Sequence, residues 1–204
     1  MLKNLIYAIL LGAGMAACLA DSDSSAVTET TDTAGIPDTT SPDTQTDAQA
    51  ADFVLAKGRA GAIRIGMPIT DLRQLQLGSQ QLRDTTLQLE GQDYTAYTLR
   101  NTDGTSGLLI EQQCEPNCQV WRIRVLGDDY KTAQGLGVGA KYGKVAQHFP
   151  ISYASLGDAG FVAVSEQAGM SFILDTGSLD SNKLHRLQPD QIPANTLVRS
   201  ILIY

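Results

Sequence analysis

A change of composition at residue 52 decides how much of this chain can fold. Residues 19–52 consist mainly of Ser, Thr, Asp, Ala and Pro, with almost no large apolar side chains. Such a segment cannot bury enough surface to offset the conformational entropy lost on ordering. We therefore expect a disordered acidic tether over 18–52. Residues 53–204, about 150 in number, are enough for a single domain with its own core.

The first residues have the features of an export signal. Lys3 precedes the apolar stretch Leu5–Met15, and the small residues Ala16 and Ala17 lead directly to Cys18. The apolar stretch is shorter than the roughly 20 residues that a membrane-spanning helix needs. We expect a cleaved signal peptide over 1–17.

Met15-Ala16-Ala17-Cys18 resembles the bacterial lipobox at every position except the first. The resemblance implies that Cys18 carries the lipid anchor, including palmitate, and that the protein is held at the outer membrane. Leu19 follows the cysteine, and in such lipoproteins an Asp there favours the inner membrane. The periplasmic side is favoured over the cell surface. The alternative is an ordinary secretory signal that leaves Cys18 as a free thiol.

The net charge of −7 comes from the predicted tether. Residues 19–52 hold eight acidic residues and no basic ones, which leaves fourteen acidic and fourteen basic residues in 53–204. The predicted domain is thus neutral and lacks the basic composition that is typical of nucleic-acid binding. We expect no nucleic-acid partner.

Cys114 and Cys118 flank Glu115-Pro116-Asn117, in which Pro favours a turn and Asn tolerates a left-handed backbone. Residues with strand character, 108–110 and 121–125, lie on either side. In an exported protein this pattern indicates a disulfide across a hairpin tip. A redox-active pair and free thiols remain alternatives.

Two segments of similar pattern suggest an α+β fold with two similar halves, 53–132 and 133–204. Gly61–Gly66 leads into Ile69–Leu75, and Gly135–Gly139 leads into Lys144–Phe149, in both cases with apolar residues at helical spacing. Short runs with strand character follow each segment. The sequence predicts antiparallel sheet with short helices on one face, each half a helix followed by three or four strands.

Alternation in Trp121–Val125 predicts Trp121, Ile123 and Val125 on one face of a strand, with Arg122 and Arg124 on the other. The two arginines form a possible binding face for acidic ligands or lipid headgroups. A charged row that keeps the strand soluble is the competing interpretation.

We find no convincing catalytic or metal motif. Asp175-Thr176-Gly177 matches the aspartic protease triplet, but it occurs once and lacks a partner triplet. His148 and His185 have no second ligand at metal spacing, so we expect no metal and no cofactor. A hydrolase that uses Asp175 or His148 remains a weak alternative.

Part of the sequence resembles a family of uncharacterised bacterial envelope lipoproteins under envelope-stress sigma-factor control. The resemblance rests on Arg122–Leu126, Asp128–Asp129, Thr132, Gly135–Gly139 and Val198–Ile203. It implies a lipid-anchored periplasmic α+β domain with no known catalysis, and it assigns no active-site residues.

The sequence therefore favours a non-enzymatic envelope lipoprotein that binds an envelope protein in outer-membrane maintenance or assembly. A receptor for a small ligand or for peptidoglycan is the alternative. The identity of the partner is not encoded in any recognisable motif.

Overall fold

The computed structural model describes residues 53–177 and 179–204, and most of them lie in β-strands. The predicted signal peptide, Cys18 and the tether lie outside the described residues. The strands are β1 Val54–Ala56, β2 Arg59–Ala60, β3 Ile63–Arg64, β4 Gln81–Leu89, β5 Gln92–Arg100, β6 Ser106–Cys114, β7 Cys118–Val125, β8 Lys131–Thr132, β9 Tyr153–Gly157, β10 Gly160–Ser165, β11 Met170–Leu174 and β12 Val198–Ile203.

Eight of the described strands form one large antiparallel sheet, in the order β4, β5, β6, β7, β12, β11, β10, β9. Strand β12 therefore lies inside the sheet, between β7 and β11. Its Ile201 is opposite Val125 on one side and Phe172 on the other. The segments before and after β8 are joined in a single sheet by this one strand.

The four remaining described strands form a small sheet in the order β3, β2, β1, β8. Strands β1 and β8 are parallel, with Val54 opposite Lys131, and the other two pairs are antiparallel. Leu55, Ala60 and Ile63 of this sheet are almost fully buried. The small sheet thus contributes to the core of the protein.

The predicted α+β class is wrong, because the described residues are mostly β and helices are few and short. Helix α1 comprises only Ile69–Leu72 and helix α2 comprises Tyr142–His148, while 3₁₀ turns cover Leu184–Arg186 and Pro189–Gln191. The described part of the chain contains no helix with the length and apolar composition needed to span a bilayer.

The two predicted helix-then-strand halves are wrong for the same reason, since the first helix is barely one turn. No side-chain hydrogen bond caps the start of α1, and the helix ends at Leu72. Beyond it, Leu75 and Leu77 both pack on the core, a spacing of two residues that a helix cannot place on one face. The apolar spacing in Ile69–Leu75 thus arises from one short helix and the turns that follow it.

The main core covers one face of the large sheet. Ile110, Ile123, Ile201 and Phe172 occupy this face on successive strands and are fully buried. The same apolar cluster contains residues of α2 and of the small sheet. These elements therefore cover one face of the large sheet. The other face, called the second face below, has a smaller buried cluster of its own, made of Val162, Val164, Ile173 and Leu202.

The glycines in Gly135–Gly139 allow a backbone conformation and a close contact that other residues would not. Gly135 and Gly139 have φ values of 73° and 82°, which side chains rarely adopt. A Cβ at Gly137 would collide with the carbonyl oxygen of Tyr130. These glycines are explained by the path of the chain into α2.

Because β12 joins the large sheet, truncation of its buried side chains should destabilise the whole fold. Ile201→Ala removes a fully buried side chain and should lower the free energy of unfolding by about 2 to 5 kcal/mol. Arg199→Ala on the same strand, at an exposed position, should change it by no more than about 0.5 kcal/mol. Urea unfolding measures both values, and equal effects would contradict the central role of β12.

Candidate functional site

An open cavity of about 740 Å³ lies where the β4–β5 hairpin, the β6–β7 hairpin and the β9–β10 turn come together. Strands β4 and β9 are the two edges of the large sheet, so the sheet curls until its far ends line one cavity. Its walls are formed by Leu87, Gln88, Leu89, Glu90, Asp93, Tyr94, Thr95, Glu111, Gln112, Gln113, Cys114, Glu115, Trp121 and Asp158. The volume is in the range of known ligand sites.

A β-bulge directs Trp121 into this cavity. Glu111 is opposite Arg122 and Gln112 is opposite Val120, which leaves Trp121 as the extra residue on β7. Bulges re-aim side chains in this way and are frequent beside functional sites. The predicted placement of Trp121 with Ile123 and Val125 is therefore wrong: the latter two are buried, whereas Trp121 is 47% exposed.

Arg122 and Glu111 form a buried ion pair beside Trp121. Arg122 donates from Nε to Oε1 at 3.0 Å and from an Nη to Oε2 at 2.6 Å, the two-pronged geometry of strong pairs. The Glu111 side chain is 7% exposed and the Arg122 side chain 20%. The Arg122 guanidinium also lies 4.8 Å from the centre of the Trp121 ring, so it fixes both side chains on the second face.

Arg124 shares the second face with Arg122, as the alternation predicts. Its cross-strand neighbours there are Leu109 and Leu202. The Nε atom of Arg124 is buried and has no hydrogen-bond partner among the described residues. The charge of Arg122, in contrast, is neutralised by Glu111. The two arginines therefore do not form the continuous cationic row that the sequence suggests.

The predicted disulfide between Cys114 and Cys118 is confirmed. The two residues are register partners at the end of β6 and the start of β7, so the bond closes the hairpin tip. Cys114 and Glu115 from this tip also line the cavity. The disulfide therefore constrains one wall of the candidate site.

The residues considered for hydrolysis lie in separate elements. Asp175 follows β11, and its Oδ1 accepts a hydrogen bond from the backbone N–H of Gly177 at 2.9 Å, as in an ordinary turn. His148 is the exposed last residue of α2, and His185 is exposed in a 3₁₀ turn. Among the described residues no group of three or more His, Cys, Asp or Glu is placed to hold a metal ion.

Sequence reasoning predicted strand character over residues 94–99 of β5 but missed β4 and the turn that joins them, and this β4–β5 hairpin supplies half of the cavity wall. Two signals for this hairpin were available in the sequence. Apolar and polar residues alternate in Thr85–Leu89, and Glu90-Gly91 follows as a candidate two-residue turn, which the structure confirms by pairing Leu89 with Gln92. Glu90 is a poor indicator of a two-residue turn, because Asn, Asp or Gly is usual there. Asp158, some 70 residues away in the chain, could be associated with this hairpin only through the fold.

Comparison with known proteins identifies a similar fold. No protein-family model and no curated protein matches this chain. The crystal structure of the uncharacterized protein YfeY from Escherichia coli is similar, with a TM-score of 0.54 and 15% sequence identity. The similarity covers 72% of this chain and 97% of the YfeY chain. At this identity the likeness concerns the fold alone.

Removal of the Glu111 charge should destabilise the protein, because Arg122 would then lie partly buried without its partner. We expect Glu111→Gln to lower the free energy of unfolding by about 1.5 to 3 kcal/mol, the range for hydrogen bonds to charged groups, and to change the emission of Trp121, the single tryptophan of the chain. Asp84→Asn breaks the exposed pair with Arg73 and should change it by at most about 1 kcal/mol. Denaturant titration followed by fluorescence compares the two, and a Glu111→Gln value no larger than the Asp84→Asn value would contradict this.

Proposed function

We propose that this chain is a lipid-anchored protein of the bacterial envelope that binds a protein partner through the cavity on its large sheet. The proposal assigns it no catalysis and no cofactor. Outer-membrane maintenance or assembly is the process that it would serve, on the periplasmic side of the membrane.

The observation that carries the proposal is the exposure of aromatic side chains around the cavity. Trp121 is 47% exposed and Tyr94 is 43% exposed, although both lie beside well-packed strands. Aromatic residues dominate the binding energy at protein interfaces, and their clustering around a cavity is typical of a binding surface. The fixed geometry of the Arg122–Glu111 pair supports such a role, because a rigid site loses less entropy on binding.

The N-terminal segment supports the same proposal from the sequence. Treated as a flexible coil, residues 19–52 would have a root-mean-square span of about 30 to 35 Å. A tether of that reach lets a domain meet partners that stand away from the membrane to which Cys18 is attached.

A receptor for a small ligand or a peptidoglycan fragment is the second candidate. The cavity volume of about 740 Å³ favours it, since drug-sized ligands occupy sites of this size. The two candidate functions predict different molecules in the cavity in the cell: a protein for the first and a ligand of low mass for the second.

Photocrosslinking in living cells separates them. A benzoylphenylalanine in place of Tyr94, on the cavity wall, should give an adduct with one discrete protein, whereas the same replacement at Tyr204 should not. Tyr204 is a matched control because it is 45% exposed and does not line the cavity. Adducts of low mass from position 94 would favour the small-ligand receptor, and equal protein adducts from both positions would contradict a specific site.

Lipid attachment has its own test. Cys18→Ala should abolish incorporation of labelled palmitate and release the protein from the membrane fraction, because the other two cysteines form the disulfide. A Cys118→Ala variant should retain the label. Persistence of the membrane association in Cys18→Ala cells would contradict the proposed anchor.

A further inference from the structure

The cavity has an aromatic wall that already holds one cation. The Arg122 guanidinium stacks on Trp121, with 4.8 Å between the guanidinium carbon and the ring centre. Nearly half of the Trp121 surface remains exposed, and Tyr94 and Leu89 are exposed beside the same cavity. Trp is the best of the aromatic residues for binding a cation through its ring. The remaining surface of this wall is therefore suited to a further cationic group with an apolar stem.

All charged side chains along the cavity wall are acidic. They are Glu90, Asp93, Glu111, Glu115 and Asp158. Glu111 is neutralised by Arg122, whereas the other four carboxylates form no ion pair with any described residue. An anionic ligand would meet repulsion here, and the acidic segment 19–52 of the chain itself has the wrong charge to fill the cavity.

The four free carboxylates come from three separate parts of the fold. Glu90 and Asp93 belong to the β4–β5 hairpin, Glu115 to the β6–β7 tip and Asp158 to the β9–β10 turn. The wall therefore offers a ligand four negative charges from three separate parts of the fold. A single small amine cannot neutralise four carboxylates, whereas a chain that carries several cationic groups can.

Glu90 occupies a backbone position that disfavours a glutamate. Its φ is 53°, and the following Gly91 has a φ of 78°, the geometry of a turn that is usually Asn-Gly or Gly-Gly. A non-glycine residue with such a φ stores strain, and Glu lacks the local hydrogen bonds that help Asn there. The charge on the rim of the cavity is thus present against the local conformational preference.

We propose that the cavity binds a basic segment of a partner polypeptide, with Lys or Arg side chains stacked on Trp121 and Tyr94 and paired with the acidic wall. This inference rests on the proposed function, because it takes the cavity to be the partner-binding site. It adds the chemical class of the partner. The same charge pattern excludes anionic lipid headgroups, which the arginines alone would have suggested.

The test uses the full chain in detergent and a fluorescein-labelled hexapeptide of alternating Arg and Ser, followed by anisotropy. We expect saturable binding that weakens with salt, and no binding of the matching Glu–Ser peptide. Trp121→Leu should raise the Kd about tenfold. Glu90→Asn and Asp158→Asn should each raise it about two- to fivefold, as expected for exposed ion pairs.

Two variants control for charge and for folding. Glu166→Gln removes one exposed carboxylate beyond the other end of β10, outside the cavity, and should leave the Kd unchanged. Asn suits the backbone of residue 90, so Glu90→Asn should raise the midpoint of thermal unfolding by about 2 °C. Weaker binding by a more stable variant cannot result from unfolding.

The proposal is overturned if both peptides bind equally, or if Glu166→Gln weakens binding as much as Glu90→Asn does. It is also overturned in favour of a small amine if spermidine displaces the peptide at equal charge concentration. A discrete protein adduct at position 94 together with failed binding of the Arg–Ser peptide would refute the basic partner while leaving the proposed function intact. If the protein adduct at position 94 and the binding of the Arg–Ser peptide are both absent, the proposed function and the basic partner are refuted together.

Discussion

The pairing of β12 with both β7 and β11 is the interaction on which the rest of the structure depends. It places Ile201 and Ile203 in the row of apolar side chains that runs across the core face of the large sheet. With eight strands in one sheet, the accumulated twist brings β4 and the β9–β10 turn towards a common cavity. The first four strands of the sheet and their turns supply every lining residue of the candidate site except Asp158, which sheet continuity adds from the other side.

Local chemistry in the sequence predicts part of this structure and fails where distant residues decide. The disulfide was predictable because Cys114 and Cys118 enclose a Pro-containing turn between strand-like runs. The alternation of Ile123 with Arg122 and Arg124 predicts the two faces of β7, but a bulge that is set by the partner strand moves Trp121 to the exposed side. Helix α1 is short because Leu75 and Leu77 pack on the core from an irregular segment beyond it, which periodicity alone would assign to a helix.

The positions of the charged residues say more about what this protein can bind than its net charge does. The region 53–204 is formally neutral, and the composition therefore excludes little beyond nucleic acid. The fold collects Glu90, Glu115 and Asp158 at one opening, while Arg122 neutralises Glu111, a further acidic residue of the cavity wall. Arg122 thus has a positioning role, and the carboxylates of the cavity wall that it does not neutralise determine what the opening can attract.

The position of β12 also sets the order in which the chain can fold. Residues 118–125 and 170–174 are made before residues 198–203, yet they need that last strand between them to complete their hydrogen bonding. Until then each has an unpaired edge, the kind of surface that other chains can pair with. A polypeptide whose residues 198–203 have not yet emerged is therefore vulnerable to aggregation, and a chaperone that acts on it must cover two strand edges throughout that interval.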